Sequence, residues 1–243
     1  MPANLSKDTP NSQDPTAMPI LMHLEELRRR LIKTALALVI TTAISFIFAE
    51  QIIEILKQPM GGARLVFLKP TDSISNFMRV SLISGATLAM PVIVYQFFRF
   101  VAPGLTKQEK RYLVVIVPGA TFSFIVGVAF AYFIVLPAAI TFLYGFLQDV
   151  AEPFWSLETY LGLITRLLFW MGMSFETPLI IFFLAKLDII SVEALTRNRK
   201  YAIVVIAAIS AVITPTPDPV NMGLVMLPLM ALYEIAVFLA RLA

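Results

Sequence analysis

The strongest constraint on this chain is a series of apolar segments too long and too continuous for the core of a soluble domain. A helix that crosses the hydrocarbon of a bilayer needs about 20 apolar residues. Residues 31–49, 76–98, 112–135, 158–185, 201–214 and 220–240 each read as such a span. Composition agrees: of the 243 residues, 58% are hydrophobic and only 14% are charged. Soluble domains carry about 25% charged residues, so lipid has to cover much of this surface. The expected fold is an all-α polytopic membrane protein with six transmembrane helices, residues 20–243 forming one domain. Residues 1–19 are polar and hold Pro2, Pro10, Pro15 and Pro19. They lack the apolar centre of a signal peptide and are expected to form a disordered cytoplasmic tail.

Charge placement sets the expected orientation, because short cytoplasmic loops are enriched in Lys and Arg. The segment to residue 33, the loops near 99–111 and 186–200, and the C-terminus together hold fourteen of the nineteen Lys and Arg. The alternate loops hold three, which are Lys57, Arg64 and Lys69. Both termini are therefore expected in the cytoplasm, which requires an even number of spans. The fifth span is anomalous. Its fourteen residues cover about 20 Å against a hydrocarbon core of about 30 Å. Either the bilayer thins there, or neighbours cover the helix ends, or the helix extends a few residues further.

Several polar groups stand out against this apolar background. In residues 21–31, Leu24, Leu27 and Leu31 share one helical face, while His23, Glu26, Arg30 and Lys33 line another. Such a helix lies among the headgroups and leads into the first span. It reads either as a basic anchor that sets topology or as a binding element. In the loop 98–111, Pro103-Gly104 forms a turn, and Thr106 with Glu109 matches a capping box for the third span. Glu109 is thus a helix cap or a second carboxylate at the cytoplasmic surface. Glu176, in Ser-Phe-Glu-Thr-Pro (174–178), lies about 15 Å from the cytoplasmic end of the fourth span. An intramembrane carboxylate is costly and marks function by default, although a protonated Glu bonded to a neighbouring helix would also fit. Pro178 should bend that helix. Arg166 lies ten residues before Glu176, too far along a straight helix to pair with it. Glu234 lies within one or two turns of a helix end, where it can snorkel. Asp218 reads as solvated, as a cap for the sixth helix, or as functional.

Other chemistries are excluded. The chain has no cysteine and one histidine, so neither a thiolate nor a histidine-built metal site is expected. There is no phosphate-binding Gly-rich loop and no nucleophile elbow. The chain is expected to be no enzyme and to hold no metal or cofactor.

The polar motifs resemble the TatC family. His-Leu-Glu-Glu-Leu-Arg-Arg-Arg-Leu (23–31) is similar to its N-terminal signature. Residues 91–105 (Pro-Val-Ile-Val-Tyr-Gln-Phe-Phe-Arg-Phe-Val-Ala-Pro-Gly-Leu) and Glu109-Lys-Arg are similar to its second span and first cytoplasmic loop. Phe130-Ala-Tyr-Phe-Ile-Val-Leu-Pro (130–137), Ser174-Phe-Glu-Thr-Pro and the Thr-Pro-rich turn with Asp218 follow in order. The resemblance implies a core subunit of the twin-arginine protein translocase of the bacterial inner membrane. It would bind Arg-Arg signal peptides of folded cargo and work with TatB-like and TatA-like subunits, driven by the proton motive force. Glu26 and Glu109 would receive the arginine pair, with His23, Arg28, Gln96 and Phe100 around them. Glu176 would be the buried acid of the fourth span on a concave, cup-like face. Pro59, Asp218 and Glu234 would serve assembly or partner contact, and short fifth and sixth helices would thin the bilayer. The chain stops two residues after Arg241, so no role of a longer tail carries over. A proton-coupled small-molecule transporter, with Glu176 and Glu234 as relay groups, is the alternative. Such transporters show internal repeats with paired broken helices, which this sequence lacks.

Overall fold

The structure is a computed structural model that describes residues 17–62, 64–101, 109–146, 154–214 and 218–242. Side chains are described from residue 23 and, after the second break, from residue 114. Most of the expected tail therefore lies outside the described residues. The first helix, α1 (Ala17–Ile47), begins three residues inside that tail and runs on without a break. The amphipathic segment and the first span are thus one rigid rod.

The chain then turns at Phe48 into a short amphipathic helix, α2 (Ala49–Lys57), which the sequence reading did not include. Its Leu56 is buried, while Glu50, Gln51, Glu54 and Lys57 are exposed. A single 3₁₀ turn (Gln58–Met60) follows, with Pro59 at its start and Gly61 closing it at φ 60°. Two tyrosines from later helices hold this corner. Tyr160 Oη donates to the Leu56 carbonyl at 2.7 Å, and Tyr132 Oη donates to the Ile55 carbonyl at 2.7 Å. Both carbonyls lie in the last turn of α2, where helical partners run out, and the Ile55 carbonyl also accepts from the Gln58 N–H.

The second crossing is α3 (Asp72–Val101), opened by Asp72, whose buried carboxylate accepts from the backbone N–H of Leu68 and Lys69 at 2.9 Å each. The third comprises α4 (Glu109–Phe130), a π turn (Ala131–Val135) and α5 (Leu136–Gly145). It runs ten residues beyond the expected end at 135. Pro137 was no barrier, because it sits in the first turn of α5, where the missing N–H matters least, and the widened turn precedes it. The fourth crossing is broken, as Pro178 required, into α6 (Leu157–Phe175) and α7 (Thr177–Lys186). A short surface helix, α8 (Val192–Arg197), is capped by Ser191. It leads to α9 (Arg199–Ile213) and α10 (Pro219–Ala240).

Among the described residues, five helical stretches are long and apolar enough to cross a membrane. The remaining expected crossing, the fifth, is α9, whose 15 residues span about 22 Å. The structure corrects one expectation here. α10 has 22 residues, about 33 Å, so shortness is confined to the fifth crossing. Proline did not shorten α10, because Pro219 lies in its first turn and Pro228 lies within the continuing helix.

Packing is centred on α3, α4, α6 and α10. One buried cluster joins Leu56, Met60, Val80, Tyr160, Leu161 and Leu229. A second joins Met90, Val94, Phe98, Ile116, Phe124 and Phe183 towards the other end of the bundle. By contrast, α1 packs chiefly along α3, and α9 chiefly along α10. Helices with one principal neighbour leave their other faces bare: Val39, Ile47, Val204 and Val212 are all more than 60% exposed. Only lipid or another membrane helix can cover such a surface.

Candidate functional site

The N-terminal end of α1 and the C-terminal end of α3 meet because the two helices pack antiparallel. Thr41 Oγ1 donates to the Gly85 carbonyl at 2.8 Å in mid-span, and Phe46 lies against Phe77 further along. The same pairing carries His23 onto Phe100, with ring centroids 4.5 Å apart. Between these points Arg30 bridges the helices. Its Nε donates to Glu26 Oε1 at 2.7 Å, and its Nη1 donates to Gln96 Oε1 at 3.1 Å. Gln96 is buried, and Glu26 and Arg30 are half-buried. Of the expected residues, His23, Glu26, Gln96 and Phe100 are therefore brought together.

Two others are not. Arg28 is exposed and has no side-chain partner among the described residues. Two positions along a helix turn it about 200° away from Glu26, so it faces another direction. The Glu109 side chain, like Thr106 of the expected capping box, lies outside the described residues. The described part of α4 opens at Glu109. Arg30, which the sequence places on the Glu26 face without a role of its own, is the residue that joins the two helices. Its signal was present, since Glu26 and Arg30 have the i, i+4 spacing of a helical ion pair. The bridge to Gln96, 66 residues away, had none.

The Glu26 geometry leaves a vacancy. Both Arg30 contacts fall on Oε1, and Oε2 has no partner among the described residues. A carboxylate fixed on one oxygen and open on the other can accept a further guanidinium without a change of rotamer.

Glu176 lies at the junction of α6 and α7, 6% exposed, and its Oε1 has no hydrogen-bond partner. The local backbone explains the position. Pro178 has no N–H, and the Leu179 N–H bonds to the Glu176 carbonyl at 3.1 Å instead of continuing the α-helical ladder. The Phe175 carbonyl is satisfied from α4, where Ser123 Oγ donates to it at 2.6 Å. Arg166 and Glu176 do not pair.

The remaining candidates have local roles. Asp218 caps α10, accepting from the Asn221 N–H at 2.7 Å, and its second oxygen accepts from Asn221 Nδ2 at 2.9 Å. Glu234 pairs with Arg199 at 2.8 Å across α9 and α10. Pro59 is half-buried in the corner behind α2. Among the described residues, no group of three or more His, Cys, Asp or Glu could hold a metal ion.

Known proteins extend this picture. The sequence profile of the family described as Sec-independent protein translocase protein (TatC) matches residues 22–228. The Sec-independent protein translocase protein TatC of Aquifex aeolicus (strain VF5) is 40% identical over 232 residues, 93% of this chain and 96% of that protein. Its namesake in Deinococcus radiodurans is 39% identical over 231 residues, 92% of this chain and 86% of that protein. A crystal structure described as the twin arginine translocase receptor TatC superposes with a TM-score of 0.83 at 40% identity, covering 90% of this chain and 98% of that one. Fold, site and likeness together define a helical integral membrane protein of a protein-translocating system, not an enzyme. Its long apolar crossings, its bare flanking helices and its polar cluster at one end all fit that class. The chain belongs to the TatC family of Sec-independent protein translocase proteins.

Proposed function

We propose that this chain is the signal-binding core of a twin-arginine translocase. It receives the Arg-Arg signal peptide of a folded cargo protein where α1 and α3 meet, then recruits TatB-like and TatA-like subunits for translocation driven by the proton motive force. The observation that carries this reading is the half-occupied Glu26 carboxylate, held by Arg30 and braced through Gln96. An incoming guanidinium binds the open Oε2, and Glu109 takes the second arginine. The His23–Phe100 pair offers an apolar, stackable edge beside them. Arg30 is a positioning residue in this scheme, since it acts by fixing Glu26.

The distribution of Lys and Arg supports placing this cluster, both termini and α8 on the cytoplasmic side of a bacterial plasma membrane. Glu26 then lies where an export signal first arrives. The bare faces of α9 and α10, with Asp218 and Glu234, and the corner at Pro59 are proposed as partner and assembly contacts. The transporter alternative loses its basis with the family assignment. Glu234 is also engaged by Arg199 on an exposed face, and no described contact links it to Glu176.

Photo-crosslinking of an Arg-Arg signal peptide to the membrane-inserted protein, beside the same peptide carrying Lys-Lys, tests the reading. Lysine cannot form the forked contact, so its yield is expected to fall roughly tenfold, the loss of one charge-assisted bond. Equal yields would remove the basis of the proposal. Glu176→Gln is expected to leave this first contact unchanged, because Glu176 lies about 15 Å deeper. A loss of initial binding in that variant would place the signal in the interior from the start.

A further inference from the structure

Two arginines sit inside spans and take no part in the Glu26 cluster. Arg79 lies seven residues into α3, and Arg166 nine residues into α6. Those offsets are about 10 and 14 Å along the helix axes. Both helices start at the same end of the molecule, because Arg79 Nη1 donates to the Glu158 carbonyl in the first turn of α6 at 3.3 Å. Side chains lean towards the N-terminus of their helix, so both guanidinium groups tilt towards one membrane face. They line a single cleft of about 370 Å³ between α3 and α6.

Among the described residues, little negative charge faces these cations. Glu158 lies 3.9 Å from Arg79 and also 3.9 Å from Lys69, so one carboxylate is shared by two cations. Arg166 is exposed and has no ion pair or hydrogen bond among the described residues. Among the described residues, Lys69, Arg79 and Arg166 against Glu158 and Asp72 leave a net positive charge. A cation at the edge of the hydrocarbon without an anion is costly. Beyond the arginines the cleft becomes apolar, with Leu82, Phe169 and Trp170 in its wall. Gly162 keeps the polar end open, since a Cβ there would sit 3.1 Å from Arg79 Nη1.

A cleft that is cationic at the face of the membrane and apolar towards its middle has the polarity of a phospholipid. We propose that the Arg79–Arg166 cleft binds the phosphate of an outer-leaflet phospholipid, with an acyl chain lying along Phe169 and Trp170. Guanidinium groups bind phosphate oxygens in forked, charge-assisted geometry, and the lipid provides the anion that Arg166 lacks. The outer leaflet follows from the orientation proposed above. The pairing itself does not depend on it, and it involves no residue of the Glu26 cluster.

Native mass spectrometry of the full chain, purified in detergent and exposed to phosphatidylglycerol, tests the proposal. The wild-type chain is expected to retain phosphatidylglycerol, and Arg166→Gln to retain about tenfold less, the loss of one charge-assisted contact. Arg166 is exposed and has no partner among the described residues, so its removal breaks no bond seen there. Arg79→Gln combined with Arg166→Gln should lose still more, while Lys200→Gln, at the start of α9, should match wild type. Diacylglycerol, which lacks the phosphate, should not be retained, and millimolar inorganic phosphate should not displace the lipid. Retention unaffected by Arg166→Gln would overturn the proposal, as would equal retention of diacylglycerol. Displacement by free phosphate would show a simple anion site and overturn the lipid assignment.

Discussion

Replacing Glu26 by alanine is expected to weaken signal-peptide binding by roughly 30-fold or more, the equivalent of about 2 kcal/mol for a charge-assisted contact. Two effects act together. The carboxylate that accepts the incoming guanidinium disappears. Arg30, which Glu26 now engages, is then left facing that guanidinium as a like charge. Glu26→Gln separates them, since the amide oxygen still accepts from Arg30 while the negative charge is lost. Its deficit should therefore be smaller than that of the alanine variant. Glu109→Ala is expected to act in the same direction. The measurement is crosslinking yield against peptide concentration, on protein whose membrane insertion has been checked. Wild-type yields from the Glu26→Ala and Glu109→Ala variants alike would show that the carboxylates are not the receptor.

The second large effect is expected at Gly85, where α3 meets α1. A Cβ on Gly85 would lie 2.5 Å from the Thr42 Cα and 2.8 Å from its backbone nitrogen, and would also strike Thr42 Oγ1. Backbone atoms cannot swing aside as a side chain does, so the helices have to separate. Small residues at such crossings allow the close approach that drives association in lipid, where no hydrophobic effect operates between helices. Here the approach also permits the bond from Thr41 Oγ1 to the Gly85 carbonyl. Gly85→Val is expected to cost about 3 kcal/mol and to lower the apparent unfolding temperature in detergent by roughly 5–10 °C. Signal binding should fall with it, because His23, Glu26 and Arg30 stand on α1 while Gln96 and Phe100 stand on α3. A variant that unfolds at the wild-type temperature would show that the crossing is looser than the geometry implies.

Properties that depend on neighbours along the chain were legible from residue order alone. Apolar runs of membrane length placed the crossings, since backbone in lipid has to satisfy its own hydrogen bonds. Pro178 announced the break in the fourth crossing, and a cap was one of the roles open to Asp218 before Pro219. The spacing of Glu26 and Arg30 already contained their ion pair. Boundaries were less legible. The third crossing was expected to end at 135, yet a wider turn before Pro137 carries the helix on to Gly145. The amphipathic helix α2 is nine residues long, too short to stand out from the runs beside it. Which distant groups meet became visible only in the folded molecule. Arg30 finds Gln96, Tyr132 and Tyr160 close the corner of α2, and Arg79 shares a cleft with Arg166. Each of these pairings depends on which helices are neighbours and how they are rotated. Lipid imposes neither choice, because it covers any apolar face equally well. The choice was made by close contacts such as Gly85 on Thr42, which no periodicity in the sequence records.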